Sequence, residues 1–309
     1  MKPLHVVTPL WHSQSISAAA DTTVWLKMEA FQPSGSFKAR GMGAACLAAK
    51  ERGATRVICA SGGNAGYAVA YAGQQLNLDV TIIVPQTTPA RSKELIQSTG
   101  ARLLIHGAAW DDAYAHLLAL AEQTGTINIH PFDDPHVWRG HASLVHEIAD
   151  AGIKPGAIVL SVGGGGLLCG VAEGLHAVGW ADVPIVAVET EGASSFAQSV
   201  QADRLITLDR ITSIATTLGA RRVAQQALDW TQHHPIEPWI ISDRAAVDAC
   251  LRFADDHRVL VEPSCGAALA AGYFRAPAVI DREPVVIIVC GGVGVMRELL
   301  QKWDEQVRE

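Results

Sequence analysis

An α/β architecture with parallel sheets is expected for this chain on three features. Short β-branched runs alternate with alanine- and leucine-rich segments almost throughout, and three of those runs lead straight into glycine-rich loops. The alternation recurs in two stretches, roughly 55–130 and 157–190, which implies two α/β units with a cleft between them. Strand, loop and helix in succession is what parallel pairing requires, since each strand must be followed by a crossover before the next can run the same way.

Val57-Ile58-Cys59-Ala60 reads as a buried strand, because a short apolar run without a polar face has no side to show to water. Ser61 to Gly66 follows, and then a helix rich in alanine, tyrosine and glutamine as far as Leu76. Val80–Val84 is the next strand, ended by Pro85, which lacks an N–H for the ladder. Ala90–Thr99 is expected to be helical and Arg102–Ile105 a strand, with Asp111 placed to cap a helix that continues to Thr124. The second stretch repeats the pattern: strand Ile158–Val162, a glycine loop, a helix to Val178, strand Ile185–Glu189. Val285–Cys290 is the last apolar run, with Gly291-Gly292 behind it. No linker-like tract marks the boundary between units, which is set near 130–140, at Pro131 and Asp133-Asp134-Pro135.

Composition narrows the function classes. With 309 residues, 49% hydrophobic and 18% charged, the chain is a folded protein of one or two domains. Lysine and arginine number 24 against 31 acidic residues, a net charge of −7, and no basic run offsets it, so neither nucleic acid nor an anionic membrane surface is an expected partner. The six cysteines form no C-x-x-C pair and are not needed as staples at this size, which points away from zinc ribbons and secreted disulfide frameworks and toward the cytoplasm. Met1 to His12 has no apolar signal core, and the uncharged stretch Pro155–Ala172 is broken by six glycines, so no targeting or membrane segment is expected.

The glycine loops carry the first chemical signal. Ser61-Gly62-Gly63-Asn64-Ala65-Gly66, Gly163–Gly166 and Gly291-Gly292 each follow an apolar strand, at the end where open α/β sheets bind ligands. Four successive glycines cost conformational entropy, and their use is close backbone approach, so that amide N–H groups and a helix N-terminus can hold an anion such as phosphate. A tight turn under a packed helix is the plainer alternative. The run does not fit G-x-x-x-x-G-K-[ST], but a dinucleotide fold stays open, with Glu189 at a suitable distance after the glycines. The second signal is Pro33-Ser34-Gly35-Ser36-Phe37-Lys38-Ala39-Arg40-Gly41. A lone lysine is ordinarily a solvated surface residue. This one follows a turn and an aromatic just before an alanine-rich helix, where a desolvated amine would have a lowered pKa and could form a Schiff base with a carbonyl.

Taken in order, P-S-G-S-F-K-x-R-G, S-G-G-N-A-G, V-G-G-G-G-L and the late C-G-G resemble the fold-type II pyridoxal-phosphate enzymes. Within them the chain is most similar to the serine/threonine dehydratase family and its liver-type L-serine dehydratase branch. Further matching stretches are Pro131-Phe132-Asp133, Trp138 to Ser143, Glu189 to Ala193 and Val261 to Ala268, so the resemblance spans almost the whole chain. It implies a two-domain, tryptophan-synthase-β-like fold, each domain a mostly parallel sheet flanked by helices. Residues 1–38 and 134–309 would form the larger, cofactor-binding domain and 39–133 the smaller.

The resemblance also implies a site. Lys38 would hold pyridoxal 5'-phosphate covalently, with Phe37 against the ring and Asn64 on the ring hydroxyl. Ser61, Gly62 and Gly63, with Asn64 beside them, would receive the substrate carboxylate. Gly163, Gly164, Gly165, Gly166 and Leu167 would cradle the phosphate, and Cys290 would face the pyridine nitrogen. A monovalent cation, usually potassium (K+), would sit among Gly163, Glu189, Ala193, Leu218 and Ala220. The implied reaction is α,β-elimination of L-serine and L-threonine to pyruvate or 2-oxobutyrate plus ammonia, with Lys38 and Ser61 catalytic, in a homodimer. The same apparatus could serve a bulkier β-hydroxy amino acid or a β-replacement reaction, and a dinucleotide-binding oxidoreductase would explain the glycines while leaving Lys38 without a role.

A thiol at Cys290 is only a weak hydrogen-bond donor, so it would leave the ring nitrogen unprotonated and the ring a weak electron sink, which favours elimination over racemisation and transamination. A buried structural cysteine is the competing view. Relatives often read C-G-G-N where Val293-Gly294-Val295 stands here, a departure expected to bear on branch and substrate and not on the cofactor site. Few residues follow Cys290, so no C-terminal regulatory domain is expected, and a lysine base implies a rate optimum on the alkaline side of neutral. The other polar groups read as structural. His136, His141 and His146 spread around a helix and do not resemble a metal site; His233-His234 is a solvated loop; most tryptophans pack; Asp133-Asp134 and Asp255-Asp256 are surface or capping carboxylates.

Overall fold

In a computed structural model, which describes residues 2–308, the chain lays down two sheets. The first segment contributes β1 (Leu10–His12), α1 (Gln14–Ala20) and β2 (Val24–Lys27). There follow α2 (Lys38–Glu51), β3 (Arg56–Ala60), α3 (Asn64–Leu76), β4 (Asp79–Val84), α4 (Ala90–Ser98), β5 (Arg102–Ile105), α5 (Trp110–Thr124) and β6 (Ile127–Asn128). The remainder forms α6 (Pro135–Asp150), β7 (Ala157–Ser161), α7 (Gly166–Ala177), β8 (Ile185–Thr190), α8 (Ser195–Ala202), α9 (Gln225–Asp229) and β9 (Ile236–Ile241). It ends with α10 (Asp243–His257), α11 (Pro263–Tyr273), β10 (Val285–Ile288) and α12 (Arg297–Arg308).

Strands β5-β4-β3-β6 form a four-stranded parallel sheet, and β1-β2-β10-β7-β8-β9 a six-stranded one in which only the β1/β2 pair is antiparallel. The middle strands β10, β7 and β8 are buried at every residue, as expected for apolar runs covered by helices on both faces. The expected strands are all present to within a residue or two. Strands β1, β2, β6 and β9 were not anticipated. Strand β9 (Ile-Glu-Pro-Trp-Ile-Ile) is interrupted by a proline that an edge strand tolerates, and it lies at the sheet edge.

Two local expectations are corrected. Asp111 does not cap α5: Asp112 does so, its Oδ2 accepting the N–H groups of Ala108 and Ala109 at 2.9 and 3.0 Å, while Asp111 pairs with Arg221 at 3.0 Å. His234 is not solvated, being 4% exposed with its Nδ1 3.3 Å from Nε2 of His176; only His233 of that pair is exposed. The expected capping role holds for Asp134, whose carboxylate accepts the His136 N–H at 2.6 Å beside Pro135 in the first turn of α6.

Helices α2 and α6 approach closely at glycines: a Cβ on Gly41 would stand 2.6 Å from the His141 ring, and one on Gly140 2.5 Å from the Arg40 carbonyl oxygen. Beneath this crossing lies a buried charge cluster. Arg40 reaches Glu29 through Nε (2.7 Å) and Nη2 (2.8 Å) and Glu147 through Nη1 (2.6 Å) and Nη2 (2.7 Å), and Lys27 also donates to Glu147. Two cations against two carboxylates balance, and Arg40 and Glu29 are both fully buried.

Candidate active site

Three parallel strands deliver the glycine loops to one place. Strand β10 continues through Val289 and Cys290, whose carbonyls accept the N–H groups of Ala30 and Phe37 at 2.9 and 3.1 Å. Ser36 bridges to Gly291, and the Gly292 N–H donates to the Gly35 carbonyl at 3.0 Å. Gly291 has φ +94°, and a Cβ there would lie 2.4 Å from the Gly35 oxygen, so only glycine permits this seam. The seam fixes the start of α2, whose first residue is Lys38.

Lys38 is half-buried, but its amine lies deep: Nζ donates to the Pro131 carbonyl at 2.6 Å and sits 5.1 Å from the centre of the Phe37 ring. Burial is the main cause that lowers its pKa to about 8, with the thiols of Cys59 and Cys290 acting weakly in the opposite sense. Behind Phe37, at 4.9 Å between ring centres, is His141, fully buried and held neutral by desolvation, with neither ring nitrogen partnered among the described residues.

Facing Lys38 across the strand ends is the loop Ser61–Gly63, which opens α3 without a side-chain cap. Ser61 Oγ accepts the Gly63 N–H at 3.3 Å, and Gly66 packs so tightly on this loop that a Cβ would fall 1.9 Å from the Ser61 oxygen. The third loop, Gly163–Gly166, opens α7. Gly165 has φ +86°, a Cβ on Gly164 would enter the Phe132 ring at 2.2 Å, and one on Gly166 would meet the Phe132 oxygen at 2.7 Å. Among the described residues, no acceptor takes the N–H groups of Gly164, Gly165 and Gly166. They form a bare nest of donors at a helix N-terminus, the arrangement that holds a phosphate. Leu167 follows in the first turn, 4% exposed.

Cys290 is 6% exposed, and its thiol, hydrogen-bonded to Cys265 and desolvated, has a pKa raised well above the ordinary range, so it remains a neutral thiol. All six cysteines are free and buried. Asn64 is clamped at both ends of its amide. Its Nδ2 donates to Glu262 Oε1 at 2.7 Å, and its Oδ1 accepts the Val293 N–H at 2.9 Å. The departing Val293-Gly294-Val295 segment therefore touches the site it was expected to leave alone.

Glu262 is the residue that sequence reasoning missed. A carboxylate before Pro263 at a helix start reads as a cap, but its side chain makes no capping bond to α11. It turns instead to Asn64 and to Thr217, whose Oγ1 lies 2.6 Å from Glu262 Oε1 and 2.5 Å from Ser264 Oγ. Desolvation raises its pKa to about 7 against these stabilising hydrogen bonds. No local signal in the chain distinguishes that fate from capping, although Glu262 lies within one of the matching stretches.

The positions expected to hold a cation also gather. Glu189, fully buried at the end of β8, accepts the N–H groups of Phe196 and Ala197 at 2.9 and 2.7 Å, and desolvation raises its pKa to about 7. Ala193 bridges back to Thr190, Gly163 lies against Leu218, and the Ala220 carbonyl accepts Ser195 Oγ at 2.9 Å.

Over residues 1–291 the chain matches the family described as pyridoxal-phosphate dependent enzyme. It is 47% identical to the Homo sapiens L-serine dehydratase/L-threonine deaminase over 316 residues, 99% of this chain and 96% of that protein. Among solved structures, a fungal L-serine ammonia-lyase from Rhizomucor miehei superposes with a TM-score of 0.92 at 36% identity, with 99% of each chain covered. Maize serine racemase superposes with a TM-score of 0.90 at 28% identity, covering 99% of this chain and 94% of that one. These matches set aside the dinucleotide-binding oxidoreductase that the glycine run alone left open.

Proposed function

Because the chain belongs to the pyridoxal-phosphate dependent enzyme family, we propose that it dehydrates and deaminates L-serine, and L-threonine, to pyruvate or 2-oxobutyrate and ammonia. One observation carries this reading: a lysine amine with its pKa lowered to about 8 lies where three strand ends meet, between a bare N–H nest and a small polar loop. The residues present fit the cofactor. The N–H groups of Gly164, Gly165 and Gly166 are free to receive a phosphate, packing on Phe132 and Ala227 holds Gly164 and Gly165 to glycine, the Lys38 amine is half neutral near pH 8, and the Cys290 thiol is uncharged.

When bound, pyridoxal 5'-phosphate supplies an aldehyde that can bond to an amine and a ring that draws electrons from the substrate α-carbon. Gly163–Gly166 and Leu167 hold its phosphate, Phe37 lies against its ring, and Asn64, oriented by Glu262 and Val293, binds its hydroxyl. Cys290 would face the ring nitrogen, where its neutral thiol, a weak donor, would leave that nitrogen unprotonated. Charge is then best relieved by departure of the β-substituent, which favours elimination over the racemisation named for the maize neighbour. Ser61, Gly62 and Gly63 bind the substrate carboxylate through hydroxyl and backbone N–H. Lys38 takes the α-proton on Nζ, a step open only to the neutral amine, and the β-hydroxyl leaves as water.

Further parts of the reading rest on narrower support. A potassium ion (K+) bound by Gly163, Glu189, Ala193, Leu218 and Ala220 rests on the family resemblance, supported by the buried Glu189 carboxyl at the end of β8 and the packing of Gly163 against Leu218. The division into 1–38 with 134–309 and 39–133 is supported by sheet membership, since every strand of the four-stranded sheet lies between Arg56 and Asn128. Six free cysteines suit the reducing cytoplasm, and a homodimer follows from the family resemblance; light scattering tests it.

The deciding experiment is a visible absorption spectrum of the purified protein before and after L-serine, with pyruvate assayed in parallel. A yellow band that shifts as pyruvate accumulates is the expected result. A band that ignores serine but answers another amino acid moves the substrate, and serine consumed only in the presence of sulfide makes the enzyme a β-replacement synthase. No band after cofactor is supplied overturns the reading.

A further inference from the structure

We infer that the cleft carries a subsite for an aromatic side chain, built by Trp110, Tyr114, His130 and Phe132, and that aryl-substituted β-hydroxy amino acids are substrates; this rests on the reading of the site just given. The four rings form a continuous row. Trp110 stacks on Tyr114 with centroids 4.8 Å apart and planes 10° from parallel; Tyr114 meets His130 edge-on at 5.4 Å, and His130 meets Phe132 edge-on at 4.6 Å.

Each end of the row is tied to a segment assigned to the reaction. Trp110 Nε1 donates to the Ala60 carbonyl at 2.8 Å, one residue before the carboxylate loop begins at Ser61. Phe132 follows Pro131, whose carbonyl accepts the Lys38 amine, and its ring lies over Gly164. The row thus runs from the residue before the carboxylate loop to the ring packed on the phosphate loop, and the β-substituent would lie along it.

None of the four is fully buried: Trp110 is 36% exposed and the other three are half-buried. Rings fixed at both ends of the row and left partly bare offer stacking surface that serine and threonine are too small to cover. The wall is also uncharged. His130 Nδ1 accepts the N–H groups of Phe132 and Asp133 at 3.3 and 2.8 Å, which places the ring proton on Nε2, and burial with Lys38 nearby lowers its pKa to about 4. An aryl group entering here meets neutral rings.

The chemistry is unchanged. The Cα–H and Cβ–O bonds break, a proton and hydroxide leave as water, and hydrolysis of the released imine takes one water back and frees ammonia. The net change converts β-phenylserine to phenylpyruvate and ammonia, with no oxidant or reductant.

The test gives the holoenzyme L-serine, L-threonine and L-threo-β-phenylserine and assays ammonia and the 2-oxo acids. Phenylpyruvate should form, and Trp110→Ala should lower the ratio of kcat/KM for phenylserine to that for serine by about tenfold, with Trp110→Phe retaining most of it. If Trp110→Ala does not fold, the wild-type enzyme still decides. L-phenylalanine, which has no β-leaving group, should compete with serine about tenfold more strongly than L-alanine. Serine consumed without any phenylserine turnover, or equal losses on both substrates in Trp110→Ala, overturns the subsite. Turnover of phenylserine but not serine keeps the subsite and overturns the serine assignment, and turnover of neither overturns both.

Discussion

An ammonium group at its ordinary pKa is neither a nucleophile nor a base near neutral pH, and the descent of Lys38 to about 8 comes chiefly from the water it loses on burial. The neutral amine accumulates as pH rises through about 8, so the apoprotein should take up added pyridoxal 5'-phosphate faster through that range. Rates of band appearance across pH 6–10 (about two units either side) check this, and a profile with no rise around pH 8 contradicts it. Lys38→Ala should lower serine turnover by more than about a thousandfold. Glu262 moves the opposite way, from the ordinary 4.5 up to about 7, because burial disfavours its charged form. Between those values the unfolded chain has lost this proton and the folded chain has kept it. The contribution is thus fully present below 4.5 and is lost as pH rises through about 7. Glu262→Gln keeps an acceptor for Asn64 and Thr217 but cannot ionise. The melting temperature of its apoprotein relative to wild type should therefore rise between pH 5 and pH 8 (values chosen to lie about either side of neutrality) in thermal melts.

The helix that begins with Lys38 is placed by what lies two residues further on. Arg40 gives two hydrogen bonds to each of Glu29 and Glu147, carboxylates from the segment after β2 and from α6, while Lys27 completes the balance. A balanced buried cluster is weak evidence for net stability, but removing one member leaves an unpaired charge away from water. Arg40→Met should therefore cost about 3–5 kcal/mol, read as a lower midpoint in urea unfolding. Arg40→Lys should recover only part, because an ammonium cannot form the planar fork that spans two carboxylates. The glycines at the α2–α6 crossing serve the same element: backbones this close leave no room for a Cβ on Gly140.

Across the molecule, the cleft lies at the carboxyl ends of strands from both sheets, and apart from the buried Arg40 cluster the polar links between the two units differ in strength. Asn64 to Glu262 is buried, whereas Asp111 to Arg221 is an exposed ion pair of the kind worth about 0–1 kcal/mol. A cofactor that touches both sides should therefore act as a clamp. At a hundredfold excess over its Kd, pyridoxal 5'-phosphate should stabilise the apoprotein by about 2.7 kcal/mol, visible as a raised melting temperature. Gly164→Ala, whose Cβ would displace the Phe132 ring, should melt at the same temperature with and without cofactor. A full shift in that variant would remove the glycine loop from the phosphate site.

Strand–loop–helix order, the three glycine loops and the candidate lysine were all legible in the chain, because each is written in contiguous residues whose backbone preferences and apolar periods are local. Strands β1, β2, β6 and β9 were not: they are short or carry polar residues and a proline, and they become strands through pairing with neighbours elsewhere in the sequence. Glu262 stood in a matching stretch with no role assigned and became a partner of Asn64, and His234 looked solvated and lies buried against His176. In each case a polar side chain has several local uses, and which one it takes depends on what the fold brings within hydrogen-bond reach and on how much water it removes. The chain alone specified the parts and the chemistry they can perform. Their depth, their partners and hence the lowered pKa of Lys38 came from packing, because desolvation and hydrogen bonding are properties of the assembled cleft.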